Sequence, residues 1–175
     1  MLSDSLPADA LRKLQAVSNS RNFTKSDQAK YGLLLTRTML MTGNRPPSDS
    51  LVSLAIAHYR EANDFIALFD ALYTKAMFFF STSAYDSALH YFAAAENVIS
   101  PEVNRNKRIR VQRMSGYANL YLGRTKAAVK NSGWPERCLL VVRSVGELHI
   151  LSGVLVGVVA WFQWFPALGG RPGTG

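Results

Sequence analysis

The sequence predicts an all-α chain of antiparallel helix pairs followed by one hydrophobic C-terminal helix. Three observations predict this. Over residues 8–130 apolar side chains recur at helical spacing, and no segment keeps the period-two alternation of a half-buried strand. Capping residues and prolines divide that stretch into pieces of helix length. At residues 131–135, NSGWP, the composition changes character. The chain has 175 residues and is 48% apolar, enough for one domain with its own core.

Residues 8–17, ADALRKLQAV, form a short amphipathic segment, and Thr24-x-x-Asp27 is a capping-box-like start for a helix reaching Met41. GNRPPS must be a loop, because Pro46 and Pro47 cannot continue a helix. Ser48 or Asp49 then caps LVSLAIAHYREA, and Asn63-Asp64 separates it from FIALFDALYTKAMFFF. Ser83-x-x-Asp86 reads as the cap of the next helix, AYDSALHYFAAAENVI. Ser100-Pro101 reads as an N-cap with proline at the first helical position. The helix after it reaches Leu122, where Gly123 breaks it before a stub, TKAAVK.

Two of these helices echo one another. Val52, Ala55, Tyr59 and Ala62 are followed, at one constant offset, by Tyr85, Ala88, Phe92 and Ala95, each pair close in size. A helix hairpin cannot bury its apolar face alone; small residues let a partner helix approach, and an aromatic fills the space beside it. Ala76 with Phe79 and Ala118 with Tyr121 repeat the small-then-aromatic pair on the neighbouring helices, and Gly32 holds the small position earlier. This pattern resembles the tetratricopeptide repeat, whose period is about 34 residues, and in particular bacterial tetratricopeptide-repeat signalling and regulatory proteins. The first helices depart from that period: aligned on Gly32, Ala76 and Ala118 they recur at wider and unequal intervals, because of the loops at 43–48 and 100–106. A non-repetitive helical bundle is the other reading of the same residues.

The resemblance implies a right-handed α-solenoid over residues 1–130 and a non-catalytic protein- or peptide-binding role. It makes Ala55, Tyr59, Ala76, Phe79, Tyr85, Ala88, Phe92, Ala95, Ala118 and Tyr121 packing residues. It also implies that the first helix of each pair lines a groove. Carried onto this chain, the groove positions are Ala29, Leu33, Thr36 and Arg37, then Tyr73, Met77 and Phe80, then Gln112, Ser115 and Asn119. The residues expected to meet a ligand are Leu33, Arg37, Tyr73, Met77, Phe80, Gln112 and Asn119, whose aromatic and methionine centre suits a peptide with apolar anchors.

The formal charge of +8 permits an anionic partner. Its densest expression is NRNKRIRVQR, residues 104–113, and a nucleic-acid-associated regulator using the cations of 105–113 is the second functional reading. No nucleophile, phosphate-loop or zinc signature is present, His58, His90 and His149 lack metal-ligand spacing, and Cys138 is a lone cysteine. The sequence therefore implies neither an enzyme nor a cofactor.

Residues 131–147 read as a linker. Residues 148–170 carry no charged side chain, and about 20 apolar residues suffice to cross a bilayer. Trp161 and Trp164 suit an interface, and Lys130, Arg137 and Arg143 before the segment place the repeat domain on the cytoplasmic side of an inner-membrane anchor. Three readings stay open for this segment: a membrane span, a helix packed as a cap, and a truncated or out-of-frame ending.

Overall fold

A computed structural model describes residues 7–17, 23–99 and 105–132, and in these the chain is all-helical. Seven helices follow in order among the described residues: α1 Pro7–Val17, α2 Lys25–Met41, α3 Ser50–Glu61, α4 Phe65–Ser81, α5 Tyr85–Val98, α6 Arg105–Tyr121 and α7 Thr125–Ser132. Each packs on its neighbour in sequence, and α2 also reaches α4. The core runs through these contacts, with Val52, Ala55, Phe69, Ala76, Ala88, Phe92, Ala95 and Val111 fully buried.

The helix starts follow local chemistry in part. Thr24 caps α2 through the expected capping box: its hydroxyl accepts from the Asp27 N–H, and the Asp27 carboxylate accepts from the Thr24 N–H. Asp64 caps α4 by accepting from the Ala67 N–H at 3.0 Å. Asp49 occupies the N-cap of α3 without a side-chain capping bond. Ser83 is not the cap of α5; Ala84 takes that position, and Ser83 belongs to the preceding helix end with φ 60°. The expected cap at Ser100-Pro101 lies outside the described residues.

Four helix ends share one geometry. Gly43, Asn63, Ser83 and Gly123 all have positive φ. In each case the N–H of the following residue reaches back to a carbonyl in the last turn: Asn44 to Met39 O, Asp64 to Tyr59 O, Ala84 to Phe79 O and Arg124 to Asn119 O, at 2.8–3.1 Å. This is the Schellman closure, which satisfies the free carbonyls of a last turn by sending one residue left-handed. Glycine enters that conformation without steric cost, and asparagine tolerates it.

These closures set a register that differs from the one expected. Helices α2, α4 and α6 begin at Lys25, Phe65 and Arg105 and end at Met41, Ser81 and Tyr121, so they recur at one fixed interval, and Gly43, Ser83 and Gly123 recur with them. The expected alignment paired Gly32 with Ala76 and Ala118 at unequal intervals. In the even register Thr36, Ala76 and Gly116 are equivalent instead, and all three are buried. Gly32 is small for another reason. A Cβ there would lie 2.9 Å from the Leu51 carbonyl oxygen, so its role is to admit the start of α3.

The packing residues divide similarly. Ala55, Tyr59, Ala76, Ala88, Phe92, Ala95 and Ala118 are buried, and Phe79, Tyr85 and Tyr121 are half-buried in aromatic contacts. Ala62 is exposed, because α3 ends at Glu61 and Ala62 is its C-cap. The echo between α3 and α5 therefore holds at Ala55 and Tyr59 and fails at its last position.

Candidate peptide-binding cleft

Helical geometry brings Asp70, Tyr73 and Met77 to one side of α4, since residues three and four apart share a face. On α2 the same rule groups Arg37 with Leu40 and Met41. These six, with Thr74 and with Arg110 of α6, line one cleft of about 200 Å³. The three evenly recurring helices thus all contribute to a single concavity.

Of the expected groove residues, Arg37, Tyr73 and Met77 line this cleft. The others do not. Leu33 is buried in the core, 9% exposed, together with Ala29 and Thr36. Asn119 is buried and donates from Nδ2 to the Ser115 carbonyl of its own helix at 2.9 Å. Gln112 donates to Glu96 Oε1 at 3.1 Å, so it ties α6 to α5. Phe80 packs edge-on to Tyr85 and Tyr121, with ring centroids 5.4 and 5.8 Å away. The even register alone does not sort them, since Leu33 is equivalent to Tyr73 and Phe80 to Leu40; the neighbours each side chain meets decide which one faces the cleft.

Sequence reasoning does not place Leu40, Met41, Asp70, Thr74 or Arg110 in a groove, and it reads Arg110 only among the cations of 105–113. A signal for four of them is present, because Leu40 and Met41 follow Arg37 by three and four, and Asp70 precedes Tyr73 and Thr74 by three and four. Arg110 has no such signal, since its place depends on how α6 docks against α4.

The basic stretch is largely directed inward at neighbouring helices. Lys107 Nζ lies 2.9 Å from Asp70 Oδ1 and 4.7 Å from the centre of the Phe69 ring. Arg108 pairs with Glu96 at 3.2 Å. Arg110 lies over the Tyr73 ring, 4.7 Å from its centre, an attraction of a cation to the negative face of the ring. Arg113 has its Nε buried without a hydrogen-bond partner among the described residues. Arg105 is exposed.

The floor of the cleft is held from behind. Tyr73 stacks on Phe69 at 6.0 Å and meets Phe92 at 5.6 Å, so its ring belongs as much to the core as to the surface. The Thr74 hydroxyl donates to the Asp70 carbonyl at 2.7 Å. No family model matches the chain, and neither a curated protein nor a solved structure matches it. Among the described residues no group of His, Cys, Asp and Glu is placed to hold a metal ion, and no helix is long and apolar enough to cross a membrane. Cys138, His149 and the 148–170 segment lie outside the described residues.

Proposed function

We propose that this chain is a non-catalytic helical-repeat scaffold that binds a protein or peptide in the cleft between α2, α4 and α6. The observation that carries the reading is that three helices whose ends recur evenly along the chain turn side chains into one concavity. A right-handed, tetratricopeptide-like solenoid is the architecture this reading assigns, in which first helices line the inner face and second helices the outer. The Met41 and Met77 side chains supply an adaptable apolar surface beside Leu40, since unbranched thioethers repack around different ligands. Tyr73 supplies an aromatic anchor already held by its neighbours.

The test is selection of peptides from a random displayed library on the full chain, followed by Met41→Lys and Met77→Lys. Met41 is 43% exposed, so its replacement leaves the core intact. Selected peptides should lose affinity for both variants while helicity by circular dichroism is unchanged for Met41→Lys. Peptides that bind Met41→Lys as well as the parent would place the site elsewhere and overturn the reading.

The nucleic-acid reading is second because Lys107, Arg108 and Arg110 meet Asp70, Glu96 and Tyr73 rather than forming a free basic stripe. Its signature is affinity falling steeply with salt. Tethering by residues 148–170, with the repeat domain cytoplasmic, completes the proposal. Carbonate extraction tests the tether, and full release into the soluble fraction would overturn it.

A further inference from the structure

We infer that the cleft selects an acidic peptide carrying apolar side chains, an inference that rests on the peptide-binding reading and specifies its ligand. The charges that line the cleft come first. Asp70 is compensated by Lys107 at 2.9 Å. Arg37 and Arg110 have no carboxylate partner among the described residues, so two positive charges remain on the cleft wall. Arg37 is exposed and Arg110 half-buried.

Arg110 is held without being consumed. Its guanidinium is attracted to the face of the Tyr73 ring, an interaction that requires none of its five N–H donors. A guanidinium fixed in this way has lost rotamer freedom before a ligand arrives, and its donors suit the two oxygens of a carboxylate. With the two arginines the cleft presents apolar side chains, Leu40, Met41 and Met77, alongside Tyr73, Thr74 and the compensated Asp70.

The apolar surface extends past the cleft. On α4, Ile66 lies one helical turn before Asp70, on the face that carries Tyr73 and Met77, and it is 59% exposed. On α2, Leu34 lies one turn before Arg37 and two before Met41, and it too is exposed. A segment lying along this surface would meet apolar, cationic and again apolar groups. An acidic peptide interspersed with large apolar residues complements that order, whereas a basic one would bring like charges together in a partly desolvated site.

The experiment is fluorescence polarisation of the full chain with a labelled peptide alternating Glu with Leu and Phe. Its comparison probes are the same peptide with Gln for Glu, the same with Ser for Leu and Phe, and a single-stranded oligonucleotide of equal charge. The Glu peptide should bind more tightly than the other three, lose affinity as salt rises, and weaken about tenfold with either Arg37→Gln or Arg110→Gln, the loss of one charge-assisted contact. Arg37 is exposed, so Arg37→Gln remains informative if Arg110→Gln fails to fold. Equal binding of the Gln peptide would overturn the acidic class and leave the peptide-binding reading standing. Tighter oligonucleotide binding that both substitutions weaken would overturn it in favour of nucleic acid. Binding of no probe would overturn the acidic, apolar class, and the library selection then decides the peptide-binding reading separately.

Discussion

Lys75 Nζ, on α4, lies 3.0 Å from Asp49 Oδ2 at the start of α3 and 4.7 Å from the centre of the Tyr91 ring on α5. It also donates to the Ser53 hydroxyl at 2.8 Å. One ammonium thus joins three consecutive helices, and Asp49, which makes no capping bond, serves as its carboxylate partner instead.

Lys75→Met should lower stability by about 1–2 kcal/mol, because it strands the Asp49 carboxylate but leaves it partly in water. Burial pushes the Lys75 pKa down, yet the hydrogen bond and charge of Asp49, with Tyr91 adding, push it further up, so the net shift is upward from 10.5. A raised folded-state pKa contributes stability that is fully present below 10.5 and lost as pH rises through the higher folded value. Urea melts of parent and variant should therefore differ by a constant amount near neutrality and converge only at more alkaline pH. A difference that shrinks below about pH 9 would contradict this assignment.

Gly32→Ala should destabilise despite the better helix propensity of alanine. The propensity gain is about 1 kcal/mol. Against it, the new Cβ would meet the Leu51 carbonyl oxygen at 2.9 Å and the Leu51 Cβ at 3.1 Å, and a backbone atom cannot rotate aside. Overpacking of this kind costs about 1–3 kcal/mol, so a net loss of about 1 kcal/mol is expected in chemical denaturation.

Ser83→Gly should stabilise by about 0.5–1 kcal/mol, since Ser83 holds φ 60° where only glycine is free of strain. Asn63→Gly should gain less, because asparagine already tolerates the left-handed region. Thermal melts of the two variants compare them directly.

The repeat echo is tested by two alanines. Ala95 is fully buried and Ala62 exposed. Ala95→Leu should cost about 1–3 kcal/mol, whereas Ala62→Leu should stay within about 0.5 kcal/mol of the parent. Equal effects would mean that Ala62 packs as the echo implies.

Asp27 reports the capping box. The Thr24 hydroxyl, then the Thr24 N–H, hold its pKa below 3.8. The contribution of the box is therefore present above about 3.8 and disappears as pH falls through the lower folded value. In an NMR titration, Thr24→Ala should move the Asp27 midpoint upward.

The sequence by itself determined the helices, most of their ends, and which faces are apolar. Thr24-x-x-Asp27, Asp64, Gly43 and Gly123 act within one turn of chain, and an i, i+3, i+4 stripe needs no partner to be recognised. Ser83 is ambiguous at this level because serine serves both as an N-cap and, less comfortably, as a left-handed residue. The tertiary structure alone decided the even register of α2, α4 and α6, the burial of Leu33 and Asn119, and the meeting of Arg37, Tyr73, Met77 and Arg110 in one cleft. Register between helices depends on turn geometry and on contacts between residues far apart in sequence, such as Lys107 with Asp70 and Arg110 with Tyr73. A periodic stripe says that a face is buried or shared; only the contacts between helices show that Lys107 meets Asp70, Arg108 meets Glu96 and Arg110 meets Tyr73.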